Sequence, residues 1–401
     1  MNFDYTEKSL RLQKAIAEFM EQHLYPLEKE YEEFTADNLW QNFSKLENWK
    51  ELAKAANLWN LFLPKTYGDL SPGLTNLEYA PLAELMGRLV WSSEVFNCSA
   101  PDTGNMEVLA KYGNVSQQKK WLQPLMEGKI RSSFLMTEPD VASSDATNIE
   151  TSIKKDGDHY VINGKKWWSS GAMNPHTEIF ILMGKTNTEA ARHIQQSMIL
   201  IPKNTEGVTI VRPLRVFGSM DSPEGHAEID LKNVRVPIEN LIQNEGDGFR
   251  IAQGRLGPGR IHHCMRLIGA AQRSLELMCK RVSQRTTFGK SVASYSSIRQ
   301  HIALSKCEIQ QARLLTLQAA DTIDKQGIAG AKDLIAMIKI VVPQMTQTVV
   351  DRAIQAFGGM GVCQDTPLSR FWIYARCMRL ADGPDEVHQY QLGRNVVKKY
   401  L

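Results

Sequence analysis

Three regimes of hydrophobic patterning follow one another along this chain. Over residues 6–130 apolar positions recur at helical spacing: Leu12, Ile16, Phe19 and then His23 with Leu24 fall at i, i+4, i+7 and i+11. The same period predicts helices over 40–57, 76–88 and 94–112. Pro26 falls late in the first helix and should end or bend it. Gly113-Asn114-Val115-Ser116 breaks the last of them, with Ser116 a candidate N-cap for a short helix over 117–126. Residues 131–237 switch to short alternating runs at 159–163, 179–184, 197–202, 208–214 and 226–231, separated by turn residues. This predicts an antiparallel β region of sandwich or small-barrel type. From residue 238 the helical period returns, over 248–285, 298–326, 329–357, 366–379 and 385–399. Long helices with short connectors predict a four-helix bundle, kinked at Pro258-Gly259 and Pro343. The plan is α+β: a helical domain (1–130), a β domain (131–237) and a helical bundle (238–401).

The most informative stretch joins the first two regimes. An apolar strand, Phe134-Leu135-Met136, runs into Thr137-Glu138-Pro139-Asp140-Val141-Ala142-Ser143-Ser144-Asp145, a loop of small and polar residues. A hairpin with its turn at Asp156-Gly157-Asp158 is expected next, then a second turn at Asn163-Gly164, then Trp167-Trp168-Ser169-Ser170. The loop offers hydroxyls and backbone N–H groups, and the following strand offers a large flat ring. That pairing suits a planar, hydrogen-bonding cofactor with a phosphate tail. An ordinary hairpin with a buried tryptophan would carry the same local signals.

Composition narrows the classes. An apolar share of 43% with 23% charged residues is that of a soluble globular protein, and 401 residues exceed one compact core. A net charge of +3 without a basic block argues against nucleic-acid binding. The six cysteines are scattered with no Cys-x-x-Cys pair, so neither a disulfide framework nor a zinc site is expected. His262 and His263 are adjacent and leave a helix in different directions, so no metal site is expected there. No apolar run approaches the ~20 residues of a membrane span. The acidic N-terminus does not look like a signal or transit peptide, and Lys399-Tyr400-Leu401 is not a peroxisomal address. The expected location is the cytoplasm in a bacterium, or the mitochondrial matrix or peroxisome in a eukaryote, and not outside the cell.

Thr137-Glu138-Pro139 with its small-residue run to Asp145, then Asn163-Gly164 with Lys166 and Trp168, resembles the acyl-CoA dehydrogenase flavoproteins. The lead-in from Tyr112 to Leu125 resembles them too, as do Arg285-Thr286-Thr287-Phe288-Gly289 and Gln355-Ala356-Phe357-Gly358-Gly359-Met360-Gly361. The resemblance covers essentially the whole chain. It implies the helical, β, helical-bundle fold, an FAD cofactor and an acyl-CoA substrate oxidised between Cα and Cβ. In that chemistry a base takes the α proton while the β hydrogen leaves as hydride. A carboxylate manages this only if the thioester oxygen is polarised and water is excluded.

The family pattern of a carboxylate followed by glycine places the base on Asp382, in Leu380-Ala381-Asp382-Gly383-Pro384-Asp385-Glu386-Val387-His388. Most relatives have Glu there, so this side chain is one methylene shorter. Asp385 and Glu386 are rival bases, and Asp382 could instead cap the following helix. Other relatives carry the base one residue before the arginine that Arg260 matches; here that residue is Gly259. By resemblance, Phe134, Met136, Thr137, Ser143, Ser144, Trp168, Ser170 and Glu386 meet the cofactor, and Ser144, Arg260 and Gly383 meet the substrate. Arg285, Phe288, Ser296, Gln355, Gly358 and Gly359 match contacts to the FAD of a neighbouring subunit. A homo-oligomer follows, a dimer or a dimer of dimers. Electron-transferring flavoprotein is the implied acceptor. An oxidase using oxygen and a flavin-containing binding protein on the same fold are the alternatives. Within the family the motifs look like a branch often fused to an aminoglycoside-phosphotransferase-like kinase domain and linked to 4-hydroxy- or 4-phosphoacyl-CoAs.

Overall fold

The computed structural model describes residues 4–401; residues 1–3, where the first expected domain begins, lie outside it. The N-terminal part comprises α1 (Glu7–Phe19), α2 (Glu28–Asp37), α3 (Ser44–Ala55), α4 (Asn76–Met86), α5 (Asp102–Tyr112) and two short pieces, α6 (Val115–Gln117) and α7 (Gln123–Met126). The first stripe is buried at Ile16, Phe19 and Leu24. The chain bends at Pro26 and resumes as α2, which the hydrophobic pattern did not announce because Tyr31 and Thr35 are its only buried positions among charged ones. Helix α5 starts at Asp102, later than expected, behind Pro101. Asn114, not Ser116, caps the next helix. Its side chain accepts from Gln117 N at 2.9 Å while Gln117 Oε1 accepts from Asn114 N at 3.1 Å, a reciprocal pair that a lone hydroxyl cannot match.

The middle region is one seven-stranded sheet: β1 (Arg131–Leu135), β2 (Ser152–Asp156), β3 (His159–Ser170), β4 (Thr177–Lys185), β5 (Gln196–Pro202), β6 (Val208–Leu214) and β7 (His226–Pro237). The order is β1-β4-β2-β3-β7-β6, with β5 on β4. Strand β1 runs parallel to β4, so the sheet is mixed and not wholly antiparallel as the alternation suggested. Alternation reports which face a residue occupies and is blind to strand direction. The hairpin turn after Asp156 forms, pairing Asp156 with His159. The turn expected at Asn163-Gly164 does not. Both residues lie inside β3, where the pairing with β7 shifts. A Cβ on Gly164 would stand 2.8 Å from the Thr151 main chain, so the glycine serves a close strand approach. Along β4, Ile179, Ile181 and Met183 join the helical core, while Phe180 and Leu182 join a second core with Ile199, Ile201 and Ile229. Both faces of this strand are therefore covered.

The C-terminal part is α8 (Gly248–Gln284), α9 (Ser296–Gly330), α10 (Lys332–Phe357), α11 (Leu368–Cys377) and α12 (Asp385–Val397). Residues of α8 and α10 stay helical through Pro258 and Pro343, both buried. Helix α9 breaks at Gly327 (φ 71°). Helix α8 also meets α4 at backbone contact distance. A Cβ on Gly269 would lie 1.9 Å from Glu84 O, and one on Gly87 would lie 2.0 Å from Arg266 O. Among the described residues one helix, Lys332–Val362, is long and apolar enough by length and composition to cross a membrane, although no unbroken apolar run in it approaches ~20 residues. Its Ile335, Ile338, Val342 and Val350 are buried against the rest of the chain.

Candidate active site

The loop after β1 is built around a buried ion pair. Lys166, fully buried in β3, donates to Glu138 Oε1 at 2.7 Å, Met136 O at 2.9 Å and Met183 O at 2.7 Å. Burial pulls this ammonium down to about 8 against the opposing effect of Glu138. The same carboxylate accepts from the main-chain N–H of Glu150 and Thr151 at 2.7 and 3.0 Å. Ser143 Oγ accepts from Glu138 N at 2.9 Å. Ser143 is thus a staple of the loop, and Ser144 is exposed.

Thr137 O accepts from Trp167 N at 3.0 Å, which fixes the loop against β3. There the β3–β7 pairing slips between Lys166 and Ser169. Trp168 takes a left-handed conformation (φ 50°) and keeps 41% of its surface exposed. A bulky residue held in that region with an open face signals a constraint from function. Ser170 Oγ lies 2.8 Å from His226 Nδ1, whose Nε2 reaches Asp221 Oδ2 at 3.1 Å. The Ser170 hydroxyl is therefore held in place.

The second constellation gathers around Asp382. This residue (φ 56°) and Gly383 (φ 102°) make a sharp corner between α11 and α12, and a Cβ on Gly383 would come within 2.9 Å of His388 Nε2. Arg260 Nε donates to Asp382 O at 2.8 Å, so this arginine holds the loop. Lys339, buried on α10, donates to Met378 O at 2.6 Å and Ala381 O at 2.7 Å. Asp382 keeps 20% of its side chain exposed, 3.8 Å from His263 Nε2. A Cβ on Gly259 would lie 3.5 Å from its Oδ2, so the two positions where a base is expected in the family converge in space. Burial pushes the Asp382 carboxyl up. The facing His263, Lys339, Arg255 and Arg260 outweigh that and hold it below the ordinary 3.8. His263 is itself brought down to about 3 by burial and by Arg266. It is neutral at pH 7, and the cations that matter are Lys339, Arg255 and Arg260. Asp382 is thus a carboxylate at neutral pH.

The two rivals are placed differently. Asp385 is buried and accepts from Arg379 Nε at 2.7 Å and Gln344 Nε2 at 3.2 Å; Glu386 is exposed on α12. Pro384 occupies the cap position of α12, and no side chain caps it, so Asp382 is not spent there. Between the two constellations stands Arg255, whose guanidinium lies 4.0 Å over the Phe134 ring and whose Nε donates to Asn105 Oδ1 at 3.0 Å. Arg285, Phe288, Ser296, Gln355, Gly358 and Gly359 are exposed and join neither group within the chain; Phe288 is 95% exposed. The sequence reading missed Arg255, His263 as a neighbour of Asp382, and Lys339. Lys339 had a visible signal, a lone lysine inside Ile335–Val342, an otherwise apolar run.

Family models match along the chain in order: acyl-CoA dehydrogenase N-terminal domain over 6–129, middle domain over 133–234 and C-terminal domain over 246–397. The chain is 52% identical over 403 residues to the probable acyl-CoA dehydrogenase FadE2 of Mycobacterium tuberculosis, covering 98% of this chain and 96% of that one. It is 51% identical over 411 residues to the probable acyl-CoA dehydrogenase IBR3 of Arabidopsis thaliana, covering 96% of this chain and 50% of the relative. It spans about half or less of the length of several curated relatives it matches. A solved putative acyl-CoA dehydrogenase from Mycobacterium abscessus superposes with a TM-score of 0.96 at 47% identity, covering 100% of both chains. The three matched domains and the relatives aligned from end to end show that this chain belongs to the acyl-CoA dehydrogenase family.

Proposed function

We propose that this enzyme of the acyl-CoA dehydrogenase class oxidises an acyl-CoA thioester between Cα and Cβ to the 2-enoyl-CoA, with FAD as resident cofactor and Asp382 as base. The observation that carries the reading is the Asp382 corner: an ionised, part-exposed carboxylate on a loop tied down by Arg260 and Lys339. The residues fit a flavin. Trp168 presents an open ring beside the immobilised Ser170 hydroxyl, on the loop that carries Met136 and Thr137. Bound there, FAD would supply the two-electron acceptor. The chain's own part is to hold the carboxylate at the α carbon. A carboxylate held below its ordinary range is a weak base, so donors at the thioester oxygen must acidify the α proton before Asp382 takes it. The exposed Arg285, Phe288, Gln355, Gly358 and Gly359 are then free to reach the cofactor of a second copy, which supports a homo-oligomer. Electron-transferring flavoprotein is the proposed acceptor.

The acyl group we favour carries a hydroxyl or phosphate at its 4-position. Arg255 supports this: its guanidinium, over Phe134 and facing Asp382, is a half-buried cation that can donate to an oxygen on the acyl chain. An anaerobic absorbance titration with straight-chain, 4-hydroxy and 4-phosphorylated acyl-CoAs tests both parts. Flavin bands that bleach most readily with a 4-oxygenated thioester are expected. Equal bleaching by straight chains would remove the substrate preference. A protein that takes up no FAD, or that no thioester bleaches, would overturn the reading.

A further inference from the structure

Asp382 is not alone with the substrate. His263, one turn along α8 from Arg260, turns its Nε2 toward Asp382 Oδ2 at 3.8 Å. Its other nitrogen, Nδ1, has Arg266 Nη2 at 3.1 Å and Tyr374 Oη at 3.0 Å. A guanidinium can only donate, so Nδ1 accepts. In a neutral ring the proton must then sit on Nε2, the atom that faces the base. Arg266 is itself anchored through Nη1 to Cys98 O at 3.3 Å. The imidazole therefore points an N–H donor at the carboxylate from a fixed mount. The remaining gap is about 1 Å longer than a hydrogen bond, the slack that catalytic contacts commonly show before substrate binds.

We propose that His263 is a positioning residue for the base, its Nε2–H closing on Asp382 Oδ2 when acyl-CoA is bound and fixing which carboxylate oxygen meets the α proton. This rests on the proposed function above. It also accounts for the short side chain: an aspartate leaves room that the imidazole, reaching in from α8, occupies. His263 does not serve as the base. Burial and the adjacent Arg266 bring it to about 3, and a proton would have to enter a site already holding Arg255, Arg260 and Lys339. The other group facing Asp382 is His388, whose Nε2 lies 3.3 Å from the main-chain oxygen and not from the carboxylate; burial lowers it to about 4, so it too is neutral.

Two measurements test the proposal, one of them independent of turnover. Solid-state 15N NMR of histidine-labelled protein, with His263 assigned by its loss in His263→Leu, should show a protonated Nε2 and a bare Nδ1. A proton on Nδ1 would overturn the proposal whatever the substrate proves to be. Single-turnover flavin reduction across pH supplies the second. His263→Leu should slow reduction roughly 10–100-fold, the cost of one hydrogen bond to a charged group. It should also move the acid limb to higher pH, because the ionised carboxylate loses a donor, with acyl-CoA affinity little changed. His263→Gln, which keeps an N–H, should recover most of both effects. An unchanged acid limb in His263→Leu, or no recovery in a folded His263→Gln, would sink the idea. A parent enzyme that no acyl-CoA reduces would instead strike the proposed function, and the tautomer measurement would still decide His263.

Discussion

At the scale of single residues the chain concentrates buried charge where the acyl group would lie. Asp382 is surrounded by Arg255, Arg260 and Lys339, and each cation has a second duty. Arg255 stacks on Phe134, Arg260 holds the Asp382 carbonyl, and Lys339 holds two carbonyls of the same loop. Glu107, on α5 near Arg255, is the exception. Burial raises its carboxyl to about 8 from 4.5, against the lowering effect of Arg255 and Lys111, and its Oε1 has no partner among the described residues. The folded protein thus keeps a proton between pH 4.5 and 8 that the unfolded chain releases. Stability from this group is fullest below 4.5 and is lost as pH rises toward 8, a cost of about 3 kcal/mol at pH 7. Glu107→Gln removes that titration. Its thermal midpoint should match the parent's near pH 4.5 and exceed it increasingly up to pH 8. A constant difference across that range would show that Glu107 is ionised in the fold.

Among the elements, α8 carries most of the architecture. It supplies Arg255, Arg260 and His263 to the site and crosses α4 at Gly269 and Gly87 with no room for side chains. Gly269→Ala sets a methyl group 1.9 Å from the Glu84 carbonyl, so the backbone must separate. A loss of about 3 kcal/mol or more in chemical denaturation is expected; a variant as stable as the parent would contradict this account of the crossing. How much of this was legible beforehand differs by element. The long apolar-periodic helices were readable because one face of each is buried, and the strands at 179–184, 197–202 and 208–214 because their apolar runs stand between turn residues. Charged α2, the mixed direction of the sheet and the bulge at Gly164 were not readable. Strand direction and bulges are set by partners distant in sequence. Asp382 stood out through the family pattern of a carboxylate before glycine, whereas His263 and Arg255 look like ordinary helical positions until the fold sets them beside Asp382.

In the whole molecule the two halves of the site come from the middle and the C-terminal parts of the chain. The Lys166–Glu138 pair shapes a loop with Trp168 beside it in the sheet, and the corner between α11 and α12 delivers a carboxylate among cations from α8 and α10. Arg255, lying over Phe134, joins the two. Exposed Phe288 and the segment around Gly358 suit the partner copy of the proposed homo-oligomer. The claim on which this arrangement turns is that Asp382 removes the substrate proton. Stopped-flow reduction of the FAD-loaded protein by its best acyl-CoA, parent against Asp382→Asn, measures it directly. The variant should keep its flavin and bind the thioester while its reduction rate falls by about 10²–10⁴ or more, as expected for loss of a positioned base. Reduction of Asp382→Asn at close to the parent rate would place the base elsewhere and undo the account of this site.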